Sequence, residues 1–347
     1  MILQDLTITS FRGITNASLA ALSPVSVIFG ANNTGKSSIL EAAALLLRPV
    51  DPSQWVQVAR QRDVDMTHAD GLWSLFPSRT PLQLEDGPKQ TDIIQISGTV
   101  GGVQRNLSAR GLASMTWDSE ESEDLSLMVT TRCTEADHKP TEHRMEFRSR
   151  RDSQAQWGSE PHLYRSFTVT PATHRSTRNL VDHLSRAVDE GLKGLAVELL
   201  QLFDCEIHGL DVSASRGRDG VRVTHAKRGV VDLASFGDGM RRSAALALAL
   251  VRAHGGLLLI DEIEAGIHPS ILPDVLQRLI QAAREADVQI LATTHSLEAI
   301  DALIAATNVE ADSLSAFYAE RSRTGTSLRP YNRGRLVELR EAGLDLR

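Results

Sequence analysis

An α/β fold is predicted for this chain by three features of its sequence. A glycine-rich loop at residues 30–37 follows an apolar strand pattern and opens a helical one. A continuous apolar run, Leu257–Ile260, ends in two carboxylates. Between them, from about 51 to 166, the sequence changes to short alternating runs rich in polar residues and glycine. Apolar strand runs next to helical patterns indicate a sheet covered by helices, and the alternating segment indicates a β-rich lobe.

The loop at residues 30–37 reads Gly-Ala-Asn-Asn-Thr-Gly-Lys-Ser and lies between the apolar run Val25–Phe29 and a helical pattern at 38–47. Glycines let the backbone curl around phosphate oxygens, and successive N–H groups with the helix N-terminus supply positive potential. We expect Lys36 on the β- and γ-phosphates and the Ser37 hydroxyl on Mg²⁺. The pattern therefore predicts a nucleoside triphosphate ligand.

Composition limits the class of protein. The 347 residues are 41% hydrophobic and 23% charged, as in folded proteins. The sequence has no signal-peptide pattern and no run of roughly 20 apolar residues, so we expect a cytoplasmic protein without membrane contact. Cys133 and Cys205 lack metal-ligand spacing and are too few for a disulfide framework, so both are expected to be reduced.

A net charge of −7 gives no global basic footprint for nucleic acid. Two local clusters remain: Arg144, Arg148, Arg150 and Arg151 in one, and Arg321, Arg323, Arg329, Arg333 and Arg335 in the other. Such runs are more often solvated faces than binding sites, so nucleic acid stays an open alternative as a partner.

The chain is interpreted as a single domain, 1–347, with a catalytic core at 1–50 and 167–320, a β-rich insertion at about 51–166 and a tail at 321–347. Within the insertion, strands are predicted at 93–100, 125–131 and 144–147. Helical periodicity from 180 to 202 predicts a helix or helix pair. Strands are expected at 207–212 and 221–224, and a helix at 241–253.

The run Leu257–Ile260 is typical of a parallel strand buried on both faces. Its polar end would lie at the carboxyl edge of the sheet, where open α/β folds bind ligands. Asp261 is then suited to hold Mg²⁺ through its water shell, and Glu262 to polarise the water that attacks the γ-phosphate.

Two further elements carry candidate residues. Ser235, Gly237 and Gly239 precede a helical run, so a hydroxyl, bare N–H groups and a helix dipole could bind an anion; a helix N-cap with a glycine turn explains the pattern about as well. His295 follows the strand candidate at 288–292 and could hydrogen-bond the γ-phosphate or the attacking water, although such a histidine also occurs as a capping or core residue.

The chain carries, in order, the loop at 30–37, the Ser235 element, the strand that ends in Asp261 and Glu262, and His295. These four elements resemble those of the ATP-binding-cassette (ABC) ATPases, in particular the soluble branch with the SMC-like repair ATPases, RecF and the OLD-type defence ATPases. The resemblance covers the opening Ile-Thr-Ser-Phe-Arg-Gly-Ile at 8–14, the loop with its helix at 30–42, the segment at 260–269 and Thr294-His295-Ser296. It implies an ABC-type P-loop head with a mixed central sheet. It places nucleotide contacts at Arg12, Gly30, Asn32, Asn33, Thr34, Gly35, Lys36, Ser37 and Ser38.

The resemblance also implies ATP and Mg²⁺ as cofactors and a homodimer that encloses two nucleotides, with Ser235, Gly237 and Gly239 acting in trans. Larger oligomers stay open. The glutamine loop of the family has only Gln54, Gln57 and Gln83 as candidates. No heptad arm interrupts the chain, and the residues after His295 leave little room for a fused Toprim nuclease. The expected effector is therefore a separate polypeptide.

We thus predict an ATPase that dimerises on ATP and regulates an effector, a nuclease, in anti-phage defence or DNA maintenance. The alternative is a RecF-like DNA-binding repair protein, whose salt-dependent DNA affinity would fall on charge reversal at Arg148, Arg150 and Arg151. A transporter subunit and an AAA+ ring motor fit the motifs less well.

Overall fold

The computed structural model describes residues 1–60, 68–77, 87–117, 123–136, 138–148, 164–202, 204–215, 218–307, 313–322 and 325–343. Gln83, Arg150, Arg151 and Arg323, and the end of the predicted tail at 344–347, lie outside the described residues.

The strands are β1 (Leu6–Phe11), β2 (Ile14–Leu19), β3 (Val25–Phe29), β4 (Lys89–Gln90), β5 (Ile94–Val100), β6 (Val103–Trp117), β7 (Glu123–Glu135), β8 (Thr141–Arg148), β9 (Ser166–Val169), β10 (Ile207–Ser215), β11 (Arg218–His225), β12 (Gly229–Asp232), β13 (Leu257–Ile260), β14 (Gln289–Thr294), β15 (Leu314–Ser322) and β16 (Gly325–Asn332). The helices are α1 (Lys36–Leu47), α2 (Pro52–Arg60), α3 (His68–Trp73), α4 (Thr177–Asp189), α5 (Lys193–Gln201), α6 (Asp238–Arg252), α7 (Leu272–Glu285), α8 (Leu297–Ala306) and α9 (Arg333–Glu341), with 3₁₀ turns at Thr173–Arg175 and Leu233–Ser235.

A mixed sheet forms the core, in the order β16-β15-β3-β14-β13-β9. Its neighbours pair in parallel except β15 and β16, which are antiparallel. Every residue of β3, β13 and β14 is buried, because helices cover both faces. The register pairs Ile260 with Ala292 and Thr294 with Phe29, so these strands end at one edge. This arrangement confirms the predicted α/β fold with a mixed central sheet.

Helix α1 lies between the core sheet and the lobe. Its residues are buried nearly all round, including Leu40 and Leu45. They share one apolar cluster with Leu259 of the core sheet and with Ile96 and Leu107 of the lobe. A helix that is apolar on all sides is stable only when both sides are covered, and the two sheets provide that cover. The start of α1 is therefore held rigidly beside the strand ends.

The lobe is an antiparallel sheet in the order β2-β1-β5-β6-β7-β8, with β4 paired to β6. The predicted insertion supplies β4–β8, but it begins with the helices α2 and α3, which the alternating pattern did not indicate. The first two strands of the chain complete the same sheet. The lobe therefore combines the N-terminal hairpin with the inserted segment.

Other predicted elements are found with small shifts at their ends. The strands expected at 93–100, 125–131, 144–147, 207–212 and 221–224 are observed as β5, β7, β8, β10 and β11, and the helical pattern at 180–202 is the pair α4 and α5. Gly191, with φ 72°, lies between these two helices. Within the expected tail, β16 pairs along β15, so this part belongs to the core sheet.

Cys133 is buried and Cys205 is exposed, and both are free. In the described part of the chain, no helix is long and apolar enough to cross a membrane.

The close packing of the residue before β13 against the residue before β9 requires a glycine at position 256. A Cβ at Gly256 would lie 2.1 Å from the carbonyl oxygen of Arg165, just before β9. We expect Gly256→Ala to lower the free energy of unfolding by about 1–3 kcal/mol through overpacking, measured by urea denaturation. The control is Gly194→Ala, in α5, where a Cβ meets nothing within 4 Å; it should be neutral or stabilising by about 0.5–1 kcal/mol. Equal effects of the two substitutions would contradict this account of the β9–β13 contact.

Candidate nucleotide site

A cavity of about 680 Å³ opens at the carboxyl edge of the core sheet. It is bounded by the β1–β2 turn, the loop before α1, the ends of β13 and β14, and the β15–β16 hairpin. Its lining residues are Arg12, Gly13, Ile14, Thr15, Asn32, Asn33, Thr34, Gly35, Lys36, Ser37, Ser38, Asp261, Glu262, Thr293, Arg321, Gly325 and Thr326. Most of the predicted nucleotide contacts therefore surround one space.

The loop at 30–37 has a conformation that requires its glycines. Gly30 has φ 138°, and a Cβ there would lie 2.4 Å from the carbonyl oxygen of Ala319 in β15. Gly35 has φ 94° and is the N-cap residue that precedes α1. Because side chains are excluded at both positions, the backbone can curve closely and present its N–H groups to an anion.

Lys36 lies inside the curve of this loop. Its Nζ donates to the carbonyl oxygens of Gly30 at 2.9 Å and Ala31 at 2.7 Å. Burial lowers the pKa of Lys36, and the nearby carboxylates, Asp261 first and then Glu262 and Glu264, oppose that shift. The ammonium is thus held by neutral carbonyls and its charge stays available to a phosphate group.

One oxygen of Asp261 joins three elements. Oδ1 accepts from the Ser37 hydroxyl at 3.0 Å and from the Thr293 hydroxyl at 2.6 Å. Ser37 belongs to α1, Asp261 follows β13, and Thr293 lies in β14. A hydroxyl and a carboxylate converging in a cavity are the oxygen ligands that Mg²⁺ takes in phosphate-binding sites. The donor set therefore fits a magnesium ion at Ser37 and Asp261.

Glu262 has a left-handed backbone, with φ 49°. Its N–H donates to the Thr293 hydroxyl at 2.9 Å. Such a conformation is uncommon for a residue other than glycine, and it persists only where neighbouring contacts hold it. Its occurrence at a cavity-lining carboxylate is consistent with a fixed position for a catalytic group.

Arg242 holds the turn at Asp261 and Glu262 by hydrogen bonds to its carbonyl oxygens. It was not predicted as a site residue from the sequence. Its side chain is completely buried in α6, and Nη2 donates to the carbonyl oxygens of Asp261 at 3.0 Å and Glu262 at 3.2 Å. Nη1 donates to Thr170. Burial lowers the pKa of Arg242 to about 10, against the pull of the neighbouring carboxylates, so it stays charged near neutral pH. A buried cation that is held by carbonyls ties α6 to both carboxylate residues.

His295 lies just beyond β14, outside the cavity lining. Its Nδ1 is 3.3 Å from Oε1 of Glu264, and its backbone N–H donates to the same oxygen at 3.1 Å. The imidazole is 47% exposed, whereas the Glu264 side chain is 11% exposed. His295 is therefore neither a core nor a helix-capping histidine, and its role toward a nucleotide stays a prediction.

Ser235, Gly237 and Gly239 do not line the cavity. The Ser235 hydroxyl donates to the carbonyl oxygen of Asp232 at 2.7 Å, and the residue that caps α6 is Gly237. Ser235 is thus not the N-cap of α6, but a glycine, Gly237, caps that helix, so the alternative of a helix N-cap with a glycine turn stays open. Ser235 and Gly237 are exposed, so this loop is accessible to another molecule.

Arg12 lines the cavity but its guanidinium is engaged elsewhere. Nε lies 2.7 Å from Oε2 of the buried Glu41, and Nη1 is 3.2 Å from the Ser74 hydroxyl. The pairing fixes Arg12 beside the cavity. Its predicted contact with the nucleotide remains a prediction.

The described lining residues include no glutamine. Gln54 is buried in α2, and Gln57 lies in the same helix, so neither candidate for the glutamine loop reaches the cavity.

Other polar residues of the lining were not singled out as nucleotide contacts, and Arg321 was named only as part of the second basic cluster. Thr293, Thr15, Arg321 and Thr326 line the cavity. Only Thr293 had a signal in the sequence, a hydroxyl at the end of a buried strand. Thr15, Arg321 and Thr326 lie on the β1–β2 and β15–β16 hairpins. These hairpins reach the loop at 30–37 only through pairing between strands that are far apart in the sequence.

The Thr293 hydroxyl both donates to Asp261 and accepts from Glu262. We expect Thr293→Val, which removes the hydroxyl at nearly constant volume, to cost about 1–3 kcal/mol of unfolding free energy, because it leaves buried polar groups unpaired. Urea denaturation measures this cost. Thr293→Ser, which keeps the hydroxyl, should recover most of the loss; failure of this recovery would show that packing of the methyl group matters more.

Comparison with known proteins places this site in a family. The family described as "AAA domain, putative AbiEii toxin, Type IV TA system" matches residues 25–301. An uncharacterized protein of Methanocaldococcus jannaschii is 35% identical over 115 residues, which cover 32% of this chain and 99% of that protein.

Among solved structures, the SmcHead bound to the C-winged helix domain of ScpA has a TM-score of 0.52 at 12% identity, covering 95% of this chain and 98% of that chain. The Smc head with an extended coiled coil, bound to a ScpA C-terminal domain derived from Pyrococcus furiosus, has a TM-score of 0.50 at 11% identity, covering 98% and 99%. These likenesses show the fold of ABC-type heads. The chain belongs to the AAA-domain family that matches residues 25–301 and has an ABC-type P-loop fold.

Proposed function

We propose that the protein binds ATP with Mg²⁺ and hydrolyses it in the cavity above the core sheet. The observation that carries this proposal is the 3.0 Å contact between Ser37 and Asp261, in a cavity that Lys36 and Glu262 also line. Phosphate-transfer sites need a cation for the phosphates, oxygen ligands for the metal and a group that positions water. This cavity brings all three together.

Each residue has a distinct role in this proposal. Lys36 neutralises the β- and γ-phosphates, and the loop N–H groups bind their oxygens. Ser37 and Asp261 hold Mg²⁺, which when bound would neutralise charge on the transferring phosphate. Glu262 orients the attacking water and accepts its proton. His295 hydrogen-bonds the γ-phosphate and so distinguishes ATP from ADP.

A second copy of the chain completes the site. Ser235 and Gly237 are exposed and are not among the lining residues of the cavity in their own subunit. The start of α6 has positive potential from its unpaired N–H groups. We infer that this loop contacts the γ-phosphate in the partner's cavity, so that ATP closes a dimer and hydrolysis opens it.

The dimer would act on a separate effector, for which we propose a nuclease in anti-phage defence or DNA maintenance. The Smc heads with this fold carry ScpA domains, and the family description names a toxin of a toxin–antitoxin system. Both facts support a head that works with another protein.

Glu262→Gln tests the switch directly. We expect this variant to accumulate as an ATP-bound dimer, because it keeps the site but loses the proton acceptor, and analytical ultracentrifugation with ATP and Mg²⁺ would detect the dimer. Adding Ser235→Arg to it should restore the monomer. The proposed ATP-closed dimer is wrong if Glu262→Gln stays monomeric when saturated with ATP. Proteins that co-purify with the trapped form would identify the effector.

A second candidate, DNA binding, is favoured by one surface of the lobe. A groove of about 570 Å³ on the outer face of β6–β8 is lined by Arg110, Arg132 and Arg144. Arg110 and Arg132 are exposed and have no acidic partner among the described residues, whereas Arg144 is 3.4 Å from Glu142. Arg148, expected earlier as a contact, is paired with Glu146 at 2.8 Å. The groove is thus better placed than Arg148 for phosphate contacts.

The double variant Arg110→Glu, Arg132→Glu tests this candidate. If DNA binds here, its affinity at 50 mM salt should fall by about tenfold or more and depend less steeply on salt, as measured by fluorescence anisotropy. The matched control is the charge reversal Arg329→Glu, Arg335→Glu. These two arginines belong to the other cluster and are paired with Glu320 and Glu338. An equal loss of DNA affinity in both double variants would mean that only net charge matters. Unchanged DNA affinity in Arg110→Glu, Arg132→Glu would exclude the groove as the DNA contact.

A further inference from the structure

Glu264 is a nearly buried carboxylate that the proposed hydrolysis does not yet use. Its side chain is 11% exposed, although carboxylates are rarely buried without a specific partner. Oε1 accepts from the backbone N–H of His295 at 3.1 Å and lies 3.3 Å from Nδ1 of the same residue. Oε2 is buried and has no hydrogen-bond partner among the described residues. The contacts of this carboxylate therefore converge on His295.

The backbone around Glu264 fixes this contact. Ile263 N–H donates to the carbonyl oxygen of Thr293 at 3.0 Å, which joins the turn after β13 to the end of β14. Within the turn, Ala265 N–H donates to Glu262 at 2.9 Å and Ile267 N–H donates to Glu264 at 3.0 Å. Glu264 is thus on the same short turn as Glu262, and its side chain spans to the neighbouring strand end.

We propose that Glu264 is a positioning residue, which holds the His295 imidazole with a proton on Nδ1 and leaves Nε2 for the ligand. A carboxylate that accepts from one ring nitrogen selects the tautomer and fixes the ring orientation. In the neutral ring Nε2 is an acceptor and cannot donate to a phosphate oxygen, so the phosphate contact uses the doubly protonated ring, in which Nε2–H donates and Glu264 balances the charge. This inference rests on the proposed ATPase function, since it assigns how the His295 ring is oriented toward the γ-phosphate.

A purely structural role for Glu264 is the competing explanation. The carboxylate could serve only to cap the His295 N–H and close the turn. Glu264→Gln keeps an acceptor oxygen for that N–H and removes the charge, whereas Glu264→Ala removes both. The exposed Glu285 on α7, bonded to Gln281 at 3.0 Å, offers a matched control, because Glu285→Gln changes net charge by the same amount away from His295.

The test reads the tautomer directly. ¹⁵N NMR of the full chain labelled at histidine, with His295 assigned by His295→Gln, should show Nδ1 protonated in the parent protein and in Glu285→Gln. In Glu264→Ala this preference should be lost, and Glu264→Gln should be intermediate. Circular dichroism confirms that each variant is folded. The same tautomer in all variants would overturn the proposal.

Kinetics separate this inference from the proposed function. If the parent protein hydrolyses ATP, Glu264→Ala should lower kcat by roughly 10- to 100-fold with KM within about twofold, and Glu264→Gln should recover part of the rate. An inactive parent protein would defeat the ATPase proposal, while the NMR result would still decide the tautomer. Normal kcat in Glu264→Ala would leave the ATPase standing and reject the positioning role.

Discussion

The site depends on one carboxylate oxygen, Oδ1 of Asp261, which accepts hydrogen bonds from the hydroxyls of Ser37 and Thr293. These three residues come from α1, the end of β13 and β14, so a single acceptor fixes the relative positions of three elements. The parallel register makes this possible, because it brings the strand ends to one edge. Lys36 and Glu262 are the neighbours of Ser37 and Asp261 in the chain, so their positions follow from this one contact.

Behind this edge, buried charge ties the two candidate phosphate-binding elements together. Arg242 lies four residues after Asp238, at which α6 begins, and it donates to the carbonyl oxygens of both Asp261 and Glu262. A shift of α6 would take the Nη2 donor of this buried guanidinium away from both carbonyl oxygens, and an unpaired buried charge is costly, so movement of α6 disturbs the carboxylate turn. In the proposed dimer, contact of a second subunit with the loop at 235–239 would therefore be linked through Arg242 to the position of Glu262.

Much of this could be predicted from the sequence, because the loop at 30–37 and the run Leu257–Ile260 are local patterns with strong physical causes. Glycines are needed where a Cβ would meet Ala319, and a continuous apolar run is needed in a strand buried on both faces. What could not be predicted depends on distant pairing: Arg242, Glu264 and the hairpin residues beside Thr326 acquire partners only in the folded chain. The helices α2 and α3 were also missed, since short segments in a polar stretch give weak periodicity.

The central claim is that each nucleotide site needs residues from two subunits, and mixing two inactive variants measures it most directly. Lys36→Ala lacks a working phosphate loop, and Ser235→Arg lacks a working loop in trans. Alone, each should hydrolyse no ATP. Mixed in equal amounts, they should recover about a quarter of the parent rate, because half of the dimers are mixed and each of these has one complete site. No recovery on mixing, or full activity of Ser235→Arg alone, would contradict the account.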